Sequence, residues 1–271
     1  MKKLMFAAAV AAISTVGFSD VVSSSVVGYQ NKALTGNGKF DFCVNTFRTV
    51  GKEIATMSLG DISASATWQA GSDELKTLTQ GGGISASYTY VNASEAAEWG
   101  CEQGWYLTSD VNDDEADLSV LCKNDVSLPM TKGVLLSVGL SSTTLVYAGE
   151  VLSADQPIAL TGNGKFDFTG NISPTDLTLG DITANASWQA GSDELKTLTL
   201  GGGISASYTY VNASEAAEWG CAPGWFLTAD VNDDEADLSV LNKNDVSLPA
   251  GQAVLVSVGL STTTITVPTA L

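Results

Sequence analysis

The chain has 271 residues and a formal net charge of −18, with 30 acidic against 12 basic side chains and no histidine. Such a charge repels nucleic acid and anionic lipid and attracts cations. The lack of histidine removes the commonest general base, the Ser-His and Cys-His nucleophile pairs and the commonest metal ligand, while carboxylate-only chemistry would survive.

Residues 1–19 read as a secretory signal. Lys2 and Lys3 precede the apolar run "LMFAAAVAAISTVG", and Gly17 and Ser19 stand as small residues before a cut at Asp20. The run is short for a membrane span and no second apolar stretch follows, so no membrane insertion of the mature chain is expected. Loss of Lys2 and Lys3 takes the formal charge from −18 to −20. The Ala-rich style is bacterial, and export to the extracellular space or cell surface is the expectation.

The mature chain is two copies of one module. "GGGISASYTYVNASEAAEWGC" at 81–101 returns unchanged at 201–221, and the segments 59–83 and 111–129 return nearly unchanged at 179–203 and 231–249. "ALTGNGKFDF" at 33–42 returns at 159–168, a different offset, so the first copy carries extra residues between Cys43 and Met57. The expected units are 20–148 and 149–271.

In chain order, "SSSVVGYQ" at 23–30 is an expected strand, followed by a turn at "TGNG" 35–38. In 62–68, Ile62, Ala64, Ala66 and Trp68 are kept in the second copy, whereas Ser63, Ser65 and Thr67 become Thr183, Asn185 and Ser187. Changes confined to one parity predict a strand with one buried face. Gly81–Gly83 should close a hairpin between "ELKTLT" and "ISASYTY", with Ile84, Ala86, Tyr88 and Tyr90 on one face. A short helix is predicted over 93–99, capped by Asn92 and Glu95 and ended by Gly100. "VLLSVGL" is another strand, with Val134, Leu136, Val138 and Leu140 on one side. The strand at 143–151 resembles 23–30 and is expected to end one copy and begin the next, with 262–267 as the same strand lacking a module after it. The fold class is therefore all-β: two tandem near-identical antiparallel modules, each a sandwich or partly closed barrel with at most one short helix.

Modules that begin like "VVGYQNKALTGNGKFDF", pass through "LGDI" and a Trp strand and end like "VSLPMTKGVLLSVGLSSTTLVYAGEV" resemble those of uncharacterised secreted β-module proteins of the planctomycete–verrucomicrobia group. The resemblance implies export and a β-rich module, and it assigns no functional residue.

Several residues are candidates for sites. Asp110, Asn112 and Asp114 are spaced like the first ligands of a calcium loop, with Asp117 adding oxygens, and Asp230, Asn232, Asp234 and Asp237 repeat them. Glu115 stands where such a loop needs glycine and Leu121 where it needs a bidentate glutamate, so the competing reading is a solvated acidic turn. Trp68, Trp99 and Trp105, with Trp188, Trp219 and Trp225, are either core or a sugar-stacking platform. Exposure on one flat face favours sugar, and burial of all favours core. Cys101 and Cys122 flank one loop, and a bridge between them is expected in an exported chain. Cys43 and Cys221 are left over. Val26 and Val27 at one end, and Ile265 and Val267 at the other, are expected as sheet edges for end-to-end assembly. No residue pattern marks a catalyst. The expected function is a secreted structural or self-associating protein of a surface layer, fibre or matrix, with two-module carbohydrate binding as the alternative and calcium as the one expected cofactor. Self-association and extracellular polysaccharide are the expected partners.

Overall fold

A computed structural model describes residues 26–36, 38, 40–52, 55–139, 141–162, 164–259 and 262–269. The signal segment 1–19, residues 23–25 of the first expected strand and Leu140 lie outside the described residues.

Among the described residues each copy forms ten strands. The first has β1 (Val27–Leu34), β2 (Phe40–Cys43), β3 (Thr56–Ser58), β4 (Ile62–Ala64), β5 (Glu74–Leu78), β6 (Ile84–Val91), β7 (Gly104–Leu107), β8 (Ser127–Pro129), β9 (Val134–Ser137) and β10 (Thr143–Glu150). The second has β11 (Gln156–Leu160), β12 (Phe166–Gly170), β13 (Leu177–Thr178), β14 (Thr183–Ala184), β15 (Glu194–Leu198), β16 (Ile204–Val211), β17 (Gly224–Leu227), β18 (Ser247–Leu248), β19 (Ala253–Ser257) and β20 (Thr263–Val267). In the first module a three-stranded sheet, β1-β10-β4, packs on a five-stranded sheet, β2-β9-β5-β6-β7, and β3-β8 forms a small third pair. The second module repeats this as β11-β20-β14, β12-β19-β15-β16-β17 and β13-β18. All pairings are antiparallel. Among the described residues no sheet closes on itself, so the modules are sandwiches rather than barrels.

The core lies between the two sheets. Leu34, Ile62, Leu145 and Tyr147 come from one, and Leu75, Tyr88 and Leu136 from the other. Trp68 and Trp105 meet edge to face at 5.5 Å. Each buried indole N–H has an acceptor: Trp105 Nε1 donates to the Ile62 carbonyl at 2.7 Å and Trp68 Nε1 to Thr89 Oγ1 at 3.3 Å.

The Gly81–Gly83 hairpin forms as expected, with Gly81 and Gly82 at φ of 88° and 85°. The helix α1 (Ala93–Trp99) carries the expected capping box. Asn92 Oδ1 accepts from the Ser94 and Glu95 amides, Glu95 Oε2 accepts from the Asn92 amide at 2.9 Å, and Gly100 closes the helix at φ 69°. A second, single-turn helix α2 (Thr108–Val111) was not expected; α3 (Ala213–Trp219) and α4 (Thr228–Val231) repeat the pair. These helices and the loop after α2 cover the outer face of β6, burying Val91 with Ala96 and Tyr106 in a satellite cluster. That cover is why the alternation of β6 is lost in its second half: Thr89 and Val91 are as buried as Tyr88 and Tyr90, while Ile84 is exposed.

Two expectations need correction. The strand over 62–68 ends at Ala64, and Trp68 reaches the core from a turn in which its amide bonds the Ser65 carbonyl at 3.0 Å; Ala66 is exposed. Ser and Asn at 65 and 185 favour that turn. The junction strand is not shared between copies. β10 lies between β1 and β4, all within the first module, and β11 begins after a connection at 151–155. The likeness of 23–30 to 143–151 therefore marks two neighbours in one sheet, β1 and β10. In the same way β20 lies between β11 and β14, with Ile265 opposite both Ile158 and Ala184.

The two modules meet through reciprocal contacts. The Gly81 amide donates to the Phe166 carbonyl at 2.8 Å, and its counterpart Gly201 donates to Phe40, the counterpart of Phe166, at 2.7 Å. Phe42 and its counterpart Phe168 stack at 5.3 Å with planes 5° apart. Equivalent residues exchanging equivalent contacts define a two-fold, isologous interface inside one chain. It also covers edge strands β2 and β12, which would otherwise be open to foreign pairing. The extra residues of the first copy brace this junction. Val44 joins the second module's core together with Met130, while Arg48 ties the added loop to Glu150 of its own module by two backbone hydrogen bonds and a 3.1 Å ion pair.

Candidate functional site

The six tryptophans divide. Trp68, Trp105, Trp188 and Trp225 are fully buried core, while Trp99 and Trp219 are each 40% exposed. Trp99 ends α1, where the αL Gly100 turns the chain away, and its ring stands over the loop after α2. Together with Asp113, Asp114, Ala116 and Asp117 it lines an open groove of about 380 Å³. Sequence identity over 81–101 and 110–121 repeats every one of these residues in the second module. The groove combines one flat apolar ring with several carboxylates.

The carboxylates of this loop serve the backbone. Asp113 Oδ1 accepts from the Glu115 amide at 3.0 Å, and Asp117 Oδ1 accepts from the Ser119 amide and hydroxyl at 3.1 and 2.6 Å. Asp110 lies in α2 and accepts from Ser109 Oγ at 3.3 Å, and Asn112 caps α2 while its Nδ2 donates to the Gly71 carbonyl at 3.2 Å. Asp114 is exposed at the tip. Asn232 and Asp237 repeat their counterparts' bonds and Asp233 accepts from the Glu235 amide, whereas Asp230 lacks the hydroxyl partner because Ala229 replaces Ser109. Among the described residues no three of His, Cys, Asp and Glu converge to hold a metal. The expected ligand set is thus spread along Asx-type turns.

The four cysteines are free thiols, so the expected Cys101–Cys122 bridge is not formed in the structure. Both do belong to the satellite cluster around Tyr106. Burial and these two thiols push the Tyr106 hydroxyl up, and it donates to the Glu102 carbonyl at 2.7 Å. The second copy has Phe226 and Asn242 where the first has Tyr106 and Cys122. Cys43 is in the main core, 3.4 Å from the Tyr147 hydroxyl, and burial pushes its thiol up to about 11. At Glu74 burial pushes the carboxyl up, but hydrogen bonds from Lys76 and Ser87 outweigh it and hold it below its ordinary value.

The two ends differ in what they offer. Val26 and Val27 are exposed, and β1 is an edge strand paired only with β10. Ile265 and Val267 are buried in the middle strand of their sheet, so the C-terminal strand offers no free edge. This corrects the expected assembly edge at 262–267: the strand is consumed by its own module, because β11 and β14 supply partners on both sides.

Two further clefts flank the stacked Phe42–Phe168 pair, and they are counterparts. One lies beside Asp167, Lys132 and Gln80, where Lys132 divides it into a space of about 10 Å³ over Asp167 and an adjoining one of about 150 Å³ beside Leu78 and Pro129. The other lies beside Asp41, Gln252 and Leu200, and holds about 230 Å³. Sequence reasoning passed over both. The usable signal was the run "MTKG" at 130–133, which becomes "AGQA" at 250–253 amid near-identical flanks. Among the described residues no helix is long and apolar enough to cross a membrane. Set against family models, curated proteins and solved structures, the chain matched none of them.

Proposed function

We propose that the chain is a secreted, non-catalytic structural protein of the cell surface or extracellular matrix that holds an extracellular polysaccharide through two equal faces. The observation that carries this reading is the pair Trp99 and Trp219, the exposed tryptophans: Trp99 stands beside an acidic groove, and the residues that line it recur in sequence around Trp219 on the other module. A half-exposed indole offers a flat apolar surface to a sugar ring, and neighbouring carboxylates accept hydroxyl hydrogen bonds. Two linked sites gain avidity for a repeating polymer without any new contact. The braced junction supports a structural role, since it fixes the spacing of the two faces.

Co-sedimentation of the mature protein with insoluble cell-wall and matrix polysaccharides tests this. Binding is expected, with Trp99→Ala and Trp219→Ala each weakening it and the double variant abolishing it while the fold is kept. Wild-type pelleting on its own, without polysaccharide, would instead favour self-association as the structural mode. Equal binding by the double variant would remove the reading.

A further inference from the structure

We infer that the larger of the two inter-module clefts is a binding site for a single neutral sugar residue, one per chain and separate from the tryptophan faces. The chain supplies its own comparison. In the closed cleft Asp167 is nearly fully buried, and its oxygens are occupied from the other module. Lys132 Nζ lies 3.0 Å from Oδ1, and Gln80 Nε2 lies 3.4 Å from Oδ2, which also accepts from the Thr161 amide at 3.0 Å. The cleft is thus filled by one ammonium with its stem and one amide.

The counterpart cleft has lost both plugs. Gln252 stands for Lys132 and Leu200 for Gln80, and Ala250 at its rim stands for the buried Met130. Asp41, the counterpart of Asp167, is neutralised differently. Lys32 of its own module lies 3.0 Å from Oδ2, at a position where the second module has the buried Ile158. The negative charge is therefore already matched, and the room of the missing Lys132 side chain is open. A cation placed there would put two ammonium groups on one carboxylate. A neutral donor, doing what the Gln80 amide does for Asp167, incurs no such repulsion.

The open cleft presents a carboxylate acceptor and an ammonium donor side by side, with Thr199 and Gln252 as further polar groups and Phe42 and Leu198 as apolar wall. Adjacent acceptor and donor groups suit neighbouring hydroxyls, each of which gives and takes a hydrogen bond. An apolar wall suits the C–H face of a ring. At about 230 Å³ the cleft falls below the roughly 300 Å³ at which drug-sized pockets begin, which fits one ring. Its position between two modules is where small-ligand sites concentrate.

The test is NMR titration of the ¹⁵N-labelled mature chain with the methyl glycosides of glucose, galactose, mannose and N-acetylglucosamine, with butylammonium and acetate as charged controls. At least one glycoside should shift amides around Asp41, Thr199 and Gln252, saturating in the millimolar range at one site per chain. The shifts should persist in the Trp99→Ala/Trp219→Ala variant, which separates this site from the paired faces. They should vanish in Leu200→Gln/Gln252→Lys, which rebuilds the plugs of the closed cleft. Asp41→Asn should weaken binding about tenfold or more while the amide spectrum elsewhere is kept. No shift with any of the four glycosides overturns the inference, as does tighter binding of butylammonium than of every glycoside, or unchanged binding in the plugged variant.

Discussion

Removing one ring of the stacked Phe42–Phe168 pair should destabilise both modules together, and by the same amount whichever ring is removed. Both rings are half-buried, and each covers a glycine of the opposite hairpin, Phe168 over Gly82 and Phe42 over Gly202. A fully buried Phe→Ala change costs about 3–5 kcal/mol, so half burial places each single variant near 2 kcal/mol. The stacked geometry, at 5.3 Å and 5°, adds about 0.5–1.5 kcal/mol that either truncation loses in full. The double variant should therefore lose about 1 kcal/mol less than the sum of the singles. For a chain of this size 1 kcal/mol moves Tm by about 2–4 °C, so each single variant, losing about 3 kcal/mol in all, should melt about 6–12 °C lower. Urea unfolding of Phe42→Ala, Phe168→Ala and the double variant, read by tryptophan fluorescence and by calorimetry, supplies the cycle. Additivity within about 0.5 kcal/mol would show that the rings do not interact. Two singles differing by more than twofold would show that the interface is not isologous. Either result refutes the two-fold reading of the junction.

Two other outcomes are expected. Cys43 is raised from an ordinary value of 9.0 to about 11 by burial, offset only in part by Lys32 and the Tyr147 hydroxyl. A raised folded value means stability that is complete below pH 9 and is lost as pH climbs toward 11, by about 2–3 kcal/mol at 1.36 kcal/mol per unit. Cys43→Val should remove that part of the alkaline loss in pH-dependent urea titrations, and an unchanged alkaline slope would count against it. The thiols gathered around Tyr106 should close a Cys101–Cys122 bridge in protein recovered from an oxidising medium, stabilising the first module by about 3 kcal/mol for a loop of roughly 20 residues. Non-reducing peptide mapping that recovers both as alkylated thiols would defeat this.

What the sequence made legible was local. Asn92, Glu95 and Gly100 write the start and stop of α1 within nine residues, and the Gly81–Gly83 hairpin needs only the positive φ that glycine supplies. What it hid was set by distant parts of the chain. Trp68 keeps strand parity with Ile62, yet the turn at Ser65 is held from the last strand, where Ser65 Oγ meets Thr143 Oγ1 at 2.9 Å. The buried Thr89 breaks the alternation of β6 because a helical layer lies over it and because its hydroxyl takes hydrogen bonds from Trp68 Nε1 and the Gly71 amide. The likeness of the first and last strands of a module reads equally as one strand used twice or as two strands paired, and only the ladder from Val27–Glu150 to Leu34–Thr143 decides. The aromatic candidates divided for the same reason. Trp105 follows a run that enters the sheet, whereas Trp99 ends a helix on the outside.

The pattern of identity between the copies follows from how they meet. In a two-fold interface a residue on the axis faces its own counterpart, so Phe42 and Phe168 must suit each other and can stay alike. Residues beside the axis occur in two places, and in a dimer of separate chains both places would have to carry the same side chain. Covalent fusion of the copies lifts that requirement. Position 132 can then be a lysine that closes one cleft over Asp167, while its counterpart 252 is a glutamine that leaves the other open, with Lys32 now balancing Asp41. The extra residues between Cys43 and Met57 are likewise free to occur once, and Val44 of that segment packs into the second module's core. An isologous contact also closes on itself, so the surface that joins the modules is consumed within the chain. Any wider assembly has to use the faces left outside, and the repeated exposed groups there include Trp99 and Trp219, Val120 and Val240, and Ile84 and Ile204, together with the edge of β1.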